Sequence, residues 1–298
     1  MGIVFIFILL FIFIILGLIF YSWYRIHAAI CTYCEEGKKT PKDYGLLYET
    51  RHITTSDGLK LSTWYIPVKN PKAIVILVHG YATLDGGRPL VLFNAEFLRH
   101  AGYTTLMVNL RATGESEGKK STFGVTEWMD VEAAYDYIKT LPESKGKKIG
   151  FFGCSMGAAT VLVTAGHTKK GDFVIAGVPY ASFAALYSYR LRQERLPRFL
   201  LPFMMLATYL ELGSACSYFT PKRFIAKIHV PLFMVSAKND QTVNSEDAIY
   251  LFKKANKPKV LWEADSGHLV DKDQPEELKK RVVTFLDTYT MKNFRKHE

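Results

Sequence analysis

Cysteine is scarce in this sequence, four in 298 residues, too few for a disulfide framework and easier to place in a reducing compartment. Only Cys31 and Cys34 stand close together, and no second pair follows at the spacing of a zinc site, so a metal centre is not expected. Juxtamembrane thiols without a role, or sites of reversible acylation, suit that pair better. No internal repeat is present. Acidic side chains are outnumbered by basic ones, 28 to 38, for a net charge of +10, which favours anionic surroundings without identifying them. No nucleic-acid recognition motif accompanies the excess. With 49% hydrophobic and 22% charged residues, disorder is excluded and a sizeable core is expected.

Charge is absent altogether from Gly2 to Tyr24, where Ile, Phe and Leu dominate. As a helix, at about 1.5 Å per residue, this stretch crosses a hydrocarbon core of about 30 Å. A cleaved signal peptide would need basic residues before a shorter run and small residues after it, and these are not evident. Ile30 before Cys31 also disfavours a lipoprotein site. The expectation is an uncleaved single-pass membrane anchor over residues 1–25, with Tyr21, Trp23 and Tyr24 at one interface. Arg25, Lys38, Lys39 and Lys42 follow the span, which puts the remaining chain in the cytoplasm by the positive-inside rule. An extracytoplasmic domain on a signal anchor is the competing reading, and protease accessibility in intact cells separates the two. Residues 26–47, polar and broken by Gly37, Pro41 and Gly45, read as a linker to a domain over 48–292.

That domain alternates strand and helix patterns, the signature of a mostly parallel sheet with helices on both faces. A hairpin turn around Asp57-Gly58 is expected to join two early strands, the second at 59–66, and further strands are expected at 73–78, 104–108, 148–152, 173–178, 232–236 and 260–263. Helices are expected at 90–100, 126–139, 156–164, 245–254 and 275–288.

The informative segment within this frame is Gly153-Cys154-Ser155-Met156-Gly157, at the junction of a buried strand and a helix. A sharp strand-to-helix turn crowds its neighbours, so glycines flank the serine and its hydroxyl is held above the sheet. The Met156 amide opens the helix and faces the same point. His79-Gly80-Tyr81 follows the 73–78 strand, where the loop would set the Tyr81 amide opposite that of Met156, two donors for an oxyanion. Asp240 follows the 232–236 strand, and His268 follows the 260–263 strand after Gly267. Each residue also has a plainer reading. Ser155 is also a possible helix cap, Asp240 a turn former, and Asp265, Asp271 and Asp273 compete with it as the acid. His79 reads as a loop support, and Cys154 as a small core residue.

The order Ser155, Asp240, His268 resembles that of the α/β-hydrolase superfamily, in its serine-aminopeptidase-like and monoacylglycerol-lipase-like branch and its membrane-anchored members. Thr55-Ser56-Asp57-Gly58-Leu59-Lys60-Leu61 resembles the opening hairpin of that branch. The segment Asn109-Leu110-Arg111-Ala112-Thr113-Gly114-Glu115-Ser116 resembles its arginine-glycine loop, with Asn109 where Asp is frequent and Ala112 where Gly is frequent. The resemblance covers about residues 48–290. It implies an α/β-hydrolase fold and a serine hydrolase whose catalytic residues are Ser155, Asp240 and His268, with the Tyr81 and Met156 amides as oxyanion hole. No cofactor and no metal are implied.

Between the strands ending near Val178 and starting near Leu232 lies an insertion, about 180–228, expected as a helical cap over Ser155. Arg190, Arg192, Arg195 and Arg198 precede an apolar stretch, Phe199 to Leu206. This suits a membrane face or an acyl chain, or else a cap helix whose arginines solvate its outer side. The expected substrate is an acyl compound, a carboxylic ester of a lipid or other amphiphile. Peptidase and thioesterase activities share the machinery, and a non-catalytic binding module is the reading from another class.

Overall fold

The computed structural model describes residues 2–81 and 84–290. The domain end expected at 292 and the Cys31 side chain lie outside what is described. Eight strands form one sheet: β1 (Glu49–Thr54), β2 (Lys60–Ile66), β3 (Ile74–Val78), β4 (Thr104–Val108), β5 (Ile149–Cys154), β6 (Val174–Gly177), β7 (Leu232–Ala237) and β8 (Lys259–Ala264). Their order is β1-β2-β4-β3-β5-β6-β7-β8. β1 and β2 pair antiparallel with their neighbours, and β3 to β8 run parallel. This is the α/β-hydrolase architecture.

The central strands are apolar without interruption because both faces are covered. In β3, Ile74, Ile76 and Val78 join one buried cluster, while Val75 and Leu77 join the other, the period of two that a pleated strand imposes. The first face is covered by α3 (Trp128–Thr140), α4 (Met156–Thr168) and helix Ser245–Lys254 through Val131, Leu162 and Leu251. On the second face lie α2 (Leu92–His100) and helix Pro275–Thr290, through Leu92, Leu98, Val282 and Phe285. Parallel strands with helical crossovers bring the carboxyl ends of β3, β5, β7 and β8 to one edge, which is where the loops carrying Tyr81, Ser155, Asp240 and His268 begin.

Two parts depart from expectation. α1 runs Gly2–Cys31, past the anchor end at 25, because Ile26 and Ile30 complete an apolar face that packs with Leu200, Met204 and Ala207 of the insertion. The stretch over 26–47 is therefore no loose linker. Beyond α1 the chain pairs with the domain: Cys34 donates its amide to Ala112 O at 2.9 Å, Gly37 to Gly86 O at 3.1 Å, and Gly86 in return to Glu35 O at 2.9 Å. Glu36 then receives a two-pronged ion pair from Arg88, at 2.7 and 2.9 Å.

The insertion is helical, with α5 (Phe183–Gln193) and α6 (Leu201–Leu212) as its main pieces. It lies beside the end of α1, with α6 packed against it.

Candidate active site

The turn between β5 and α4 is built by steric exclusion. A Cβ on Gly153 would stand 2.2 Å from Gly157 O, and one on Gly157 would stand 2.3 Å from Val78 O, distances no side chain survives. Ser155 between them has φ 54° and ψ −118°, a left-handed conformation costing a non-glycine residue about 1–3 kcal/mol. The turn is held by the Ser155 amide, which donates to Gly177 O at 2.8 Å. Met156 is the first residue of α4, so its amide belongs to the first turn, whose N–H groups have no partner within the helix.

His268 meets both of its expected partners. Its Nε2 lies 3.0 Å from Ser155 Oγ and its Nδ1 lies 2.7 Å from Asp240 Oδ2. A carboxylate only accepts, so Nδ1 carries the proton, and Nε2 of the neutral ring is left to accept from the serine hydroxyl. The second oxygen of Asp240 accepts from the amides of Thr242 at 2.7 Å and Val243 at 2.9 Å. None of the other three candidate acids is bonded to His268 among the described residues. Asp265 accepts from Asn239 Nδ2 at 3.0 Å, Asp273 accepts from the Gly267 amide at 2.7 Å, and Asp271 lines the cavity above the serine.

His79 is a support, as expected. It is 1% exposed. Its Nδ1 donates to Gly80 O at 2.7 Å and its Nε2 accepts from the Leu110 amide at 3.1 Å. Burial lowers its pKa to about 4, keeping the ring neutral. Gly80 and Tyr81 come off this loop into the wall around Ser155.

The site opens into a cavity of about 780 Å³. Its walls are mainly apolar: Leu90, Phe93, Phe152, Val178, Val235, Leu269 and Leu278. Two contributions were not read from the sequence. Cys154 packs against the second buried cluster and also forms part of the cavity wall, and burial pushes its thiol up to about 12, so it is protonated at neutral pH and a poor nucleophile. Gly37, Lys38, Lys39 and Tyr44, from the segment after α1, form part of the rim. No residue of the insertion does so among the described residues. The insertion reaches the site otherwise, since the Tyr189 hydroxyl donates to the Asp240 backbone carbonyl. Among the described residues no group of three or more His, Cys, Asp or Glu is placed to hold a metal ion.

The sequence pattern of the X-Pro dipeptidyl-peptidase (S15) family matches residues 56–209, just over half of the chain. The chain belongs to the S15 family. The Bacillus subtilis protein YqkD is 30% identical over 244 residues, 79% of this chain and 78% of its own. The Saccharomyces cerevisiae membrane protein YNL320W is 26% identical over 217 residues, 72% of this chain and 74% of its own. Among solved structures, the Pyrococcus furiosus esterase Pf2001 superposes with a TM-score of 0.70 at 29% identity, covering 86% of this chain and 98% of that one. This S15 family member is thus an α/β-hydrolase of the esterase or peptidase type. The family match takes in Tyr81, Ser155 and Met156 and ends before Asp240 and His268, whose meeting with Ser155 is read from the fold.

Proposed function

We propose that this S15 family member is a membrane-anchored serine esterase that cleaves a carboxylic ester of a lipid or other amphiphile. The observation that carries the proposal is the Ser155–His268–Asp240 chain of hydrogen bonds at the wall of a largely apolar cavity. Ser155 Oγ attacks the acyl carbonyl while His268 Nε2 takes its proton. Asp240 holds the imidazole in the required tautomer and stabilises its cation. The oxyanion is held by the amides of Tyr81 and Met156, and each such donor is worth roughly 10²–10³ in rate. His268 returns the proton to the leaving alcohol, and water, activated by the same ring, releases the acid from the acyl-enzyme.

α1 anchors the enzyme: it offers a 28-residue apolar span, Ile3–Ile30, and YNL320W, a membrane protein, is a relative. Arg25, Lys38, Lys39 and Lys42 favour a cytoplasmic domain. The likeness to the serine-aminopeptidase-like and monoacylglycerol-lipase-like branch agrees with an apolar acyl pocket.

Family membership supports a second reading, a peptidase that binds a free amino terminus. The carboxylates for it would be Asp85 and Asp271, both in the cavity lining, and burial raises the pKa of Asp271, weakening that one as an ammonium partner. Lys38, Lys39 and Lys272 also stand at the rim, which favours esters. Turnover of acyl esters of increasing chain length should exceed that of acyl thioesters and of aminoacyl or X-Pro amides, measured on the full chain in detergent. Preference for free-amine amides would overturn the proposal.

A further inference from the structure

α6 is apolar on its outer face as well as on the inner face that carries Met204 and Ala207. Its sequence, Leu201–Leu212, contains one charged residue, Glu211, and that residue faces inward: it accepts from Trp23 Nε1 at 2.9 Å and from Lys120 Nζ at 2.9 Å, and meets His27 Nδ1 at 2.8 Å. The outward stripe is apolar. Phe199, Leu206, Tyr209 and Leu210 are 58%, 42%, 53% and 61% exposed, and with Pro202 between them they follow the three- and four-residue spacing of one helix face. A helix at a protein–water boundary places its charges on that face and its apolar side inward.

The surroundings identify what covers it. α1 has 30 residues, about 45 Å as a helix, against a hydrocarbon core of about 30 Å. Roughly ten residues of it project past the core. α6 packs against this projecting end through Trp23, Ile26 and Ile30, with Leu18 about one turn nearer the bilayer in the same cluster, so its stripe stands beside α1 at the bilayer boundary. Arg192, Arg195 and Arg198, just before α6, are exposed and have no carboxylate within 4 Å among the described residues. They are placed for lipid phosphates.

We infer that α6 lies in the membrane interface, its Leu206–Leu210 face, with Phe199 just before it, turned to the headgroup–acyl boundary of the bilayer that α1 crosses. The inference rests on the anchor reading of α1. It fixes the hydrolase domain by two helices instead of one, setting its attitude to the membrane. Photoreactive p-benzoylphenylalanine is introduced singly at Leu206, Leu210, Phe11 or Leu47 in the full chain, which is reconstituted in vesicles of phosphatidylcholine and phosphatidylglycerol and irradiated. Leu47, 85% exposed, lies outside both helices and serves as the aqueous control. The expected result is lipid adduct at Leu206 and Leu210 of the same order as at Phe11 and roughly tenfold above Leu47. Adduct at the Leu47 level, or cross-linking to a second copy in its place, would overturn the inference while leaving the anchor intact. Failure at Phe11 itself would overturn the anchor and the inference together.

Discussion

Glu36→Ala leaves the Arg88 guanidinium buried without its two-pronged partner. Arg88 is 1% exposed and Glu36 14% exposed at their side chains. Removing one member of a buried pair costs about 3–5 kcal/mol, because the remaining charge is neither solvated nor neutralised. Three contacts soften the loss, the first being the hydrogen bond that Arg88 Nη1 donates to Ser62 Oγ at 3.0 Å. Glu115 stands 3.7 Å from Arg88 but is 68% exposed, and the Trp64 ring lies 4.0 Å beneath the guanidinium, a contact worth about 1 kcal/mol. The net expectation is about 2–4 kcal/mol. Urea unfolding of the full chain in detergent micelles, followed by tryptophan fluorescence, measures it. The double variant Glu36→Ala/Arg88→Met removes both charges and should recover at least half of that cost. Because Glu36 holds the segment carrying Lys38 and Lys39 to the cavity rim, tryptic cleavage there should accelerate and KM for ester substrates should rise. A single-variant cost below about 1 kcal/mol with unchanged cleavage would refute the idea that this pair fastens the segment.

Asp240→Asn turns an acceptor toward His268 into a donor. Ester hydrolysis should fall by roughly 10²–10⁴, chiefly in kcat, with the unfolding midpoint little changed; activity within twofold of the parent would exclude the assigned role. His79 supplies a pH effect. Its folded pKa, about 4, lies below the ordinary value near 6.5, so the unfolded chain takes up the proton first and stability falls as pH drops from about 6.5 toward 4, by up to about 3 kcal/mol. His79→Gln should flatten that part of the stability curve, and an unchanged slope would contradict it. Ala112 sits at φ 56° with its methyl buried. In Ala112→Gly, relief of backbone strain offsets the lost methyl, for a change within about 0.5 kcal/mol, whereas Ala158→Gly inside α4 should cost about 1–2 kcal/mol. Equal losses in a thermal melt would rule out strain at Ala112.

The parts legible in the sequence were those with local or periodic signals. Central strands such as β3 and β5 read as apolar runs because both faces are covered, and the glycines around Ser155 carried the steric demand of the turn. His268 and Asp240 are legible from their places after strands, and the fold brings them within hydrogen-bond reach of one another. What was not legible depends on distant partners. Glu36 and Arg88 are 52 residues apart, and a polar segment with glycines reads as a linker whether or not its amides pair with Gly86 and Ala112. The packing partner of the insertion is hidden for a similar reason: helical periodicity shows that α6 is apolar, but not that it packs on the end of α1. In the sequence Ala112 stands out only as a departure from a family pattern, and its left-handed backbone explains why glycine is frequent there.

In the proposed mechanism one serine hydroxyl, whose proton His268 takes, does the chemistry. A fluorophosphonate probe applied to the full chain, with peptide mapping by mass spectrometry, tests it most directly. Labelling confined to Ser155 and lost in Ser155→Ala is the predicted result; labelling that persists in that variant, or maps to another residue, would contradict the account.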